Sequence, residues 1–278
     1  MKKIEYMNSN TSWKPSPLMW GSFVLHAALP VPLLLAPQSW PWVLALLVGN
    51  HLLLTGVGLW PRSTWLGPNW THLPQEAVAR REIALTIDDG PDPEVTPKVL
   101  DVLDRYGVKA TFFCIGQQAA RYPELCKAIM QRGHVIENHS QTHRHDFSLL
   151  GPKALQGELE SAQQTLTEIT GRRPRFFRAP AGLRNPFLDW ALTRTDLKLA
   201  AWTRRGFDTR TPNAETVFKR LSRDLRPGAI LLLHDRNCAR TENGTPVILA
   251  VLPRLLEAAA QAELRFVTLH DLLHAEQR

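Results

Sequence analysis

From about Arg81 to the C-terminus, short β-prone runs alternate with amphipathic helical stretches, and few folds accept that pattern. The strand candidates are residues 82–88, 110–115, 134–138, 175–178, 198–203, 229–234 and 265–269. Between them lie helical stretches such as 96–106, stopped by Gly107, and 155–170, stopped by Gly171. Repeated strand–helix alternation predicts a parallel α/β sheet or a (β/α) barrel over residues 81–278. No internal repeat or low-complexity tract interrupts it.

Residues 1–61 have a different character. After a tail carrying Lys2, Lys3 and Lys14 come two apolar runs, 18–36 and 40–60, separated by Pro37-Gln38-Ser39. Each is about 20 residues, the length that crosses a bilayer's hydrocarbon core. Neither contains Asp, Glu, Lys or Arg, and Trp20, Trp40, Trp42 and Trp60 lie at or near their ends. The rival reading is a signal peptide; the doubled apolar region and the lack of a small-residue cleavage site count against it. His26, Pro30, Asn50 and His51 also weigh against spanning. The expectation is a multi-pass anchor of two transmembrane helices in a bacterial-type inner membrane. Lys2, Lys3, Lys14, Arg62, Arg80 and Arg81 flank this hairpin, so the catalytic region leans towards the cytoplasmic face. Residues 62–80 read as a linker.

The formal net charge of +7 suits an anionic membrane surface or an acidic ligand. Lys and Arg are scattered along the chain rather than interleaved with aromatics, which argues against nucleic acid. The three cysteines, Cys114, Cys126 and Cys238, form no CxxC pair, so neither a disulfide framework nor a thiolate zinc site is expected.

The polar residues with chemical potential gather at strand ends. Thr86-Ile87-Asp88-Asp89-Gly90-Pro91 closes the first strand, and His139-Ser140-Gln141-Thr142-His143 follows the third. Arg178-Ala179-Pro180 follows the fourth, Asp208 lies after the fifth, and His234-Asp235 ends the sixth. Adjacent carboxylates on an apolar strand repel unless a cation or strong donors are near, although Asp-Asp-Gly-Pro is also good turn chemistry. On a helical turn His139 and His143 would share one face and reach one ion. That spacing is weak alone, because His270 and His274 share it in an ordinary amphipathic end. Two His and one carboxylate leave positions open for water and substrate, the arrangement of a catalytic metal site. His234 at the same mouth becomes a natural proton donor, and Arg178 can aim a carboxylate.

As an ordered set these segments resemble the polysaccharide deacetylases that share the NodB homology domain, including chitin and peptidoglycan deacetylases. The resemblance covers about residues 82–275. Thr86–Pro91 is similar to T-F-D-D-G-P with Ile87 for Phe, His139–His143 to H-[ST]-x-x-H, Arg178-Ala179-Pro180 to R-x-P, and Leu232-Leu233-His234 to L-x-H. It implies a distorted (β/α) barrel and a hydrolase that removes an N-acyl group, acetyl first, from an amino sugar by means of a metal-bound water. It implies Asp88 as the base, Arg178 as its orienting partner and His234 as the acid. It implies Asp89, His139 and His143 as ligands of a divalent metal, zinc first, with Co2+, Ni2+ or Mn2+ as alternatives, and Leu232 as lining for the acyl methyl.

Two departures bear on the substrate. After R-x-P the family has an aromatic residue, whereas this chain has Ala181-Gly182; the backbone N–H of Ala181 can still serve the oxyanion. The family's D-x-x-D-W falls on Arg205-Gly206-Phe207-Asp208-Thr209. Asp208 remains and can pair with His234, and Trp202 and Phe207 offer aromatic surface instead. The altered groove and the hairpin raise a second expectation, a deacylase or deformylase of a lipid-linked amino sugar at the membrane. A third, a catalytically silent glycan-binding protein, is opposed by the retention of Asp88 and His234.

Overall fold

A computed structural model describes residues 12–223 and 225–273. Lys2, Lys3 and His274, named above, lie outside the described residues.

The strands are β1 (Glu82–Asp88), β2 (Thr111–Cys114), β3 (Val135–Asn138), β4 (Phe176–Phe177), β5 (Lys198–Leu199), β6 (Arg204–Arg205), β7 (Ile230–His234) and β8 (Arg265–Phe266). They form one sheet in the order β5-β4-β3-β2-β1-β7-β6, with β8 also pairing β1. Every pairing is parallel. The two edge strands, β5 and β6, are neighbours in sequence. A flat sheet would hold them about 29 Å apart, whereas the chain from Leu199 to Arg204 reaches at most about 17 Å. The sheet is therefore curled into a half-barrel.

Strand alternation then assigns each side chain to a layer. On β1, Ile83, Leu85 and Ile87 pack outward into the large core shared with the helices, among them Thr96–Arg105 and Val247–Gln261. Ala84, Thr86 and Asp88 point the other way: Ala84 packs with Phe113, Phe176 and Ile230, while Thr86 and Asp88 meet Arg178. On β7, Leu231 and Leu233 join the outer core, and Leu232 faces in against Ala201 and Trp202. Cys114 and Cys126 are buried in the outer core as free thiols.

The stretch 198–203 is not one strand. After Leu199 the chain bridges Trp70 at Ala200, turns, and pairs with β7 through the two-residue β6. Ala200 N–H still donates to Phe177 O, but Thr203 N–H donates to Ile230 O on the other side of the sheet, so the segment bridges the gap between β5 and β6. Residues 62–80 are bound to the sheet by Trp70 N–H to Leu199 O, 2.9 Å, and Leu73 N–H to Gly228 O, 2.8 Å.

The N-terminal apolar segments are helical over Pro17–Ala28, Pro30–Leu35 and Trp40–Gly58. Pro30 restarts the first helix because its ring removes a backbone donor. The segments Pro17–Leu35 and Pro37–Gly58 are long and apolar enough to cross a membrane, with mean hydropathy 1.7 and 1.4. Length and composition of this kind suit a membrane anchor and a signal sequence alike. Their polar side chains satisfy one another: Asn50 Nδ2 donates to Ser22 Oγ at 2.9 Å, and the rings of His26 and His51 meet edge to face.

Candidate active site

Asp88 and His234 are cross-strand neighbours on β1 and β7 at the C-terminal end of the sheet. Parallel register and period-two alternation turn both into the barrel mouth. A cavity of about 430 Å³ opens there, lined by Asp88, Asp89, His139, His143, Leu232 and His234, with Ala181 and Trp202 on its wall.

Arg178 is 1% exposed and spans the interior beneath this cavity. Its Nη1 donates to Asp88 Oδ1 and to Thr86 Oγ1, both at 2.7 Å. Nε and Nη2 donate to the carbonyls of Ala200 and Ala201 at 3.0 and 2.6 Å, and the guanidinium lies 4.2 Å from the Phe113 ring centroid. A buried guanidinium needs both a counter-charge and acceptors for its donors. Asp88 supplies the charge, and the crossing segment at 200–201 supplies carbonyls. One oxygen of Asp88 is thereby fixed, and the other lies 3.9 Å from His139 Nε2.

Asp89 turns to the same mouth through a left-handed backbone, φ 76°. Ser140, His143 and Ala181 also have positive φ, at 64°, 52° and 54°. Such conformations cost non-glycine residues energy and cluster at working sites. Residues 139–143 form no helical turn. They make a loop instead, in which Asn138 Oδ1 accepts from Ser140 N–H at 2.9 Å and Ser140 Oγ from His143 N–H at 3.0 Å. The left-handed residues, rather than helical periodicity, aim both rings at Asp89. His139 Nε2 and His143 Nε2 each lie 3.2 Å from Asp89 Oδ1. Burial alone would raise the Asp89 pKa, but hydrogen bonds and charge from the two imidazoles in their protonated form outweigh it and hold the carboxyl well below the usual range.

The donor set fits a divalent metal. His139 Nδ1 sits 2.8 Å from the Arg178 carbonyl, which can only accept, so that nitrogen carries the proton. In a neutral ring Nε2 then presents a bare lone pair to the Asp89 carboxylate, a repulsive pairing that a cation between them reverses. The three ligand atoms lie within 4.8 Å of one another, and a backbone carbonyl orienting the far nitrogen is the usual support for a ligating histidine.

His234 is held on the other side. Its backbone N–H donates to Asp208 Oδ2 at 2.7 Å, and Nδ1 meets Asp208 Oδ1 at 2.9 Å, which leaves Nε2 as the remaining ring nitrogen. Burial would lower this imidazole's pKa, but the Asp208 charge and hydrogen bond dominate and raise it to about 9. Asp235, fully buried behind the loop, is pushed up by burial to about 7, against the Thr96 hydroxyl that donates to it.

Other residues join this site without a linear signal. Glu158, on the helix Pro152–Thr170, accepts from the backbone N–H groups of Gln141 and Thr142 at 3.1 and 3.0 Å and from the Thr142 hydroxyl at 2.8 Å. Asn237 Nδ2 donates to Asp89 Oδ2 at 3.2 Å. Arg205 and Arg210 line the rim. Of the second histidine pair only His270 is described, and it lies 3.6 Å from the buried Glu137.

Residues 75–200 match a family described as polysaccharide deacetylase. A peptidoglycan-N-acetylglucosamine deacetylase of Bacillus cereus is 30% identical over 78% of this chain and 78% of its own length. A chitooligosaccharide deacetylase of Bradyrhizobium is 36% identical over 56% of this chain and 71% of its own. A solved peptidoglycan N-acetylglucosamine deacetylase, in complex with a substituted N-oxidanyl-benzamide, has a TM-score of 0.65 at 29% identity and covers 73% of this chain and 92% of that one. With a curled parallel sheet carrying the aspartates and histidines at one mouth, the chain belongs to the polysaccharide deacetylase family of hydrolases.

Proposed function

We propose that the protein is a metal-dependent N-deacetylase of amino-sugar glycans. The observation that supports it most is that Asp88, the Asp89–His139–His143 set and the Asp208-paired His234 all line one cavity. Asp89, His139 and His143 would hold the ion. A divalent ion there supplies Lewis-acid polarisation of the acyl carbonyl and eases deprotonation of a water.

The side chains divide the remaining work. The oxygen of Asp88 that Arg178 leaves free takes a proton from the attacking water, whose oxygen bonds to the carbonyl carbon. The Ala181 backbone N–H, turned by its positive φ, is the candidate donor to the developing oxyanion. His234 Nε2 delivers a proton to the nitrogen as the C–N bond breaks, which releases a carboxylate and a free amine. Leu232 and Trp202 form the apolar wall that receives a small acyl methyl.

The hairpin supports a second reading, a lipid-linked amino sugar at the membrane. It packs on the catalytic region: Arg184 N–H donates to Gly58 O at 3.1 Å, Trp13 Nε1 donates to Asp189 Oδ2 at 2.8 Å, and Leu66 packs with Met19 and Leu54.

The decisive assay is acetate release from N-acetylated chito-oligosaccharide, peptidoglycan and lipid-linked N-acetylglucosamine, with Asp88→Asn as control. Release from at least one, lost in the variant, is expected. No release from any, or release that survives the substitution, would overturn the proposal.

A further inference from the structure

Beside the catalytic cavity lies a second one of about 480 Å³. Trp202, Arg205 and Phe207 line both, so the two adjoin. The rest of the second wall is Trp60, Pro61, Arg62, Thr203, Arg204, Arg220 and Arg223. No carboxylate stands among the described residues that line it.

We infer that this groove binds the phosphate or diphosphate of a substrate whose N-acyl sugar occupies the catalytic cavity. The inference deepens the deacetylase reading and rests on it.

Four guanidinium groups carry the argument. Arg205 is held flat between aromatics, 5.1 Å from the Trp202 ring centroid and 4.4 Å from that of Phe207, and its Nε is buried with no hydrogen-bond partner. Arg220 Nη1 is anchored by Thr211 Oγ1 at 2.8 Å and Gly206 O at 3.2 Å, and Arg62 Nη1 by Thr203 O at 3.2 Å. These acceptors are neutral, so they orient the groups without cancelling their charge. Arg223 completes the wall. Like charges crowded into one groove raise each other's energy. A dianion relieves that repulsion, and planar guanidinium forks match phosphate oxygens. Uncharged chitin would leave it standing.

Position favours the same ligand. Trp60 and Arg62 follow the helix Trp40–Gly58 directly, and Trp60 is 55% exposed. With the hairpin anchored, residues that directly follow its second helix would sit at the membrane interface, where lipid phosphates lie, and the catalytic cavity adjoins this groove at Trp202, Arg205 and Phe207.

The test uses the full chain in neutral phosphatidylcholine nanodiscs. Binding of N-acetylglucosamine 1-phosphate to the metal-free protein is followed by tryptophan fluorescence, so that an active-site ion cannot supply the affinity. Kinetics compare acetate release from N-acetylglucosamine, N-acetylglucosamine 1-phosphate and polyprenyl-phosphate-linked N-acetylglucosamine. The Arg62→Ser/Arg223→Ser variant should bind the sugar phosphate at least about tenfold more weakly and lose its preference for phosphorylated over neutral sugar by a similar factor. Arg121→Ser, on the exposed surface away from the groove, should change neither. Preference for the polyprenyl substrate over the soluble phosphate assigns the ligand to the lipid. Equal binding by the Arg62/Arg223 variant, or equal handling of neutral and phosphorylated sugar, overturns the inference. So does binding confined to phosphatidylglycerol vesicles and not displaced by the sugar phosphate. If no sugar releases acetate while sugar-phosphate binding still depends on these arginines, the deacetylase reading fails and the groove stands.

Discussion

A buried imidazole ordinarily loses its proton more easily, because low-dielectric surroundings penalise the charged ring. His234 goes the other way, to about 9, since Asp208 holds both its Nδ1 and its backbone N–H. In the metal-free protein the ring therefore keeps its proton at neutral pH, as the proposed acid requires. Its folded pKa exceeds the unfolded 6.5, so the pair's contribution of about 3 kcal/mol is complete below pH 6.5 and is lost as pH rises through 9. In the metal-free protein, NMR titration should place His234 near 9, and Asp208→Asn should move it down towards 6.5. An unmoved titration would show that Asp208 does not tune it. Arg178→Lys keeps a charge but cannot reach Asp88, Thr86 and two carbonyls together; kcat should fall about 100-fold, as for a misaimed catalytic group. A kcat within about threefold of the parent would remove Arg178 from the role of aiming the base. That Asp88, Asp89, His139, His143 and His234 would gather at one mouth, with Arg178 beneath them, was legible in the sequence because each lies at or shortly after a strand end in a short local motif. Asn237 and Glu158 were not, because each reaches the site from a segment whose own pattern is that of an ordinary loop or helix.

Among the elements, the histidine loop and the crossing segment 200–203 do most to shape the mouth. The loop has no regular hydrogen bonding of its own, and the Glu158 carboxylate gathers three of its donors. Glu158→Ala should weaken metal affinity about 10–100-fold, the usual effect of removing outer support from ligands, as read by competition with a chelating dye. Unchanged affinity would mean that the loop is held by its own turns. Gly182 has φ 75°, and a methyl group there would overlap Trp202 and Pro61. Gly182→Ala should cost about 1–3 kcal/mol in urea unfolding. Short β-prone runs exposed the longer strands, but β6 is only Arg204-Arg205 and carries no apolar signal. It is a strand because the crossing chain is delivered to the edge of β7, a tertiary cause. The same delivery converts arginines scattered along the sequence into one groove, which a search for local charge clusters cannot see.

At the scale of the whole molecule, two apolar helices of exposed Trp and Leu are joined to a hydrolytic domain through Leu66, Arg184 and Asp189. An anchor keeps such a hairpin, whereas signal processing removes it. The full-length protein should stay in the membrane pellet after alkaline washing with its N-terminus intact; a soluble, N-terminally shortened product would contradict the anchor. Asp89, His139 and His143 are proposed to bind the one ion on which amide hydrolysis depends. Chelated full-length protein should be titrated with zinc while bound metal and released acetate are measured together. Both should rise in proportion and saturate at one ion per chain, and neither should recover in His139→Ala. Hydrolysis that persists after chelation, or full metal binding by His139→Ala, would contradict that proposal.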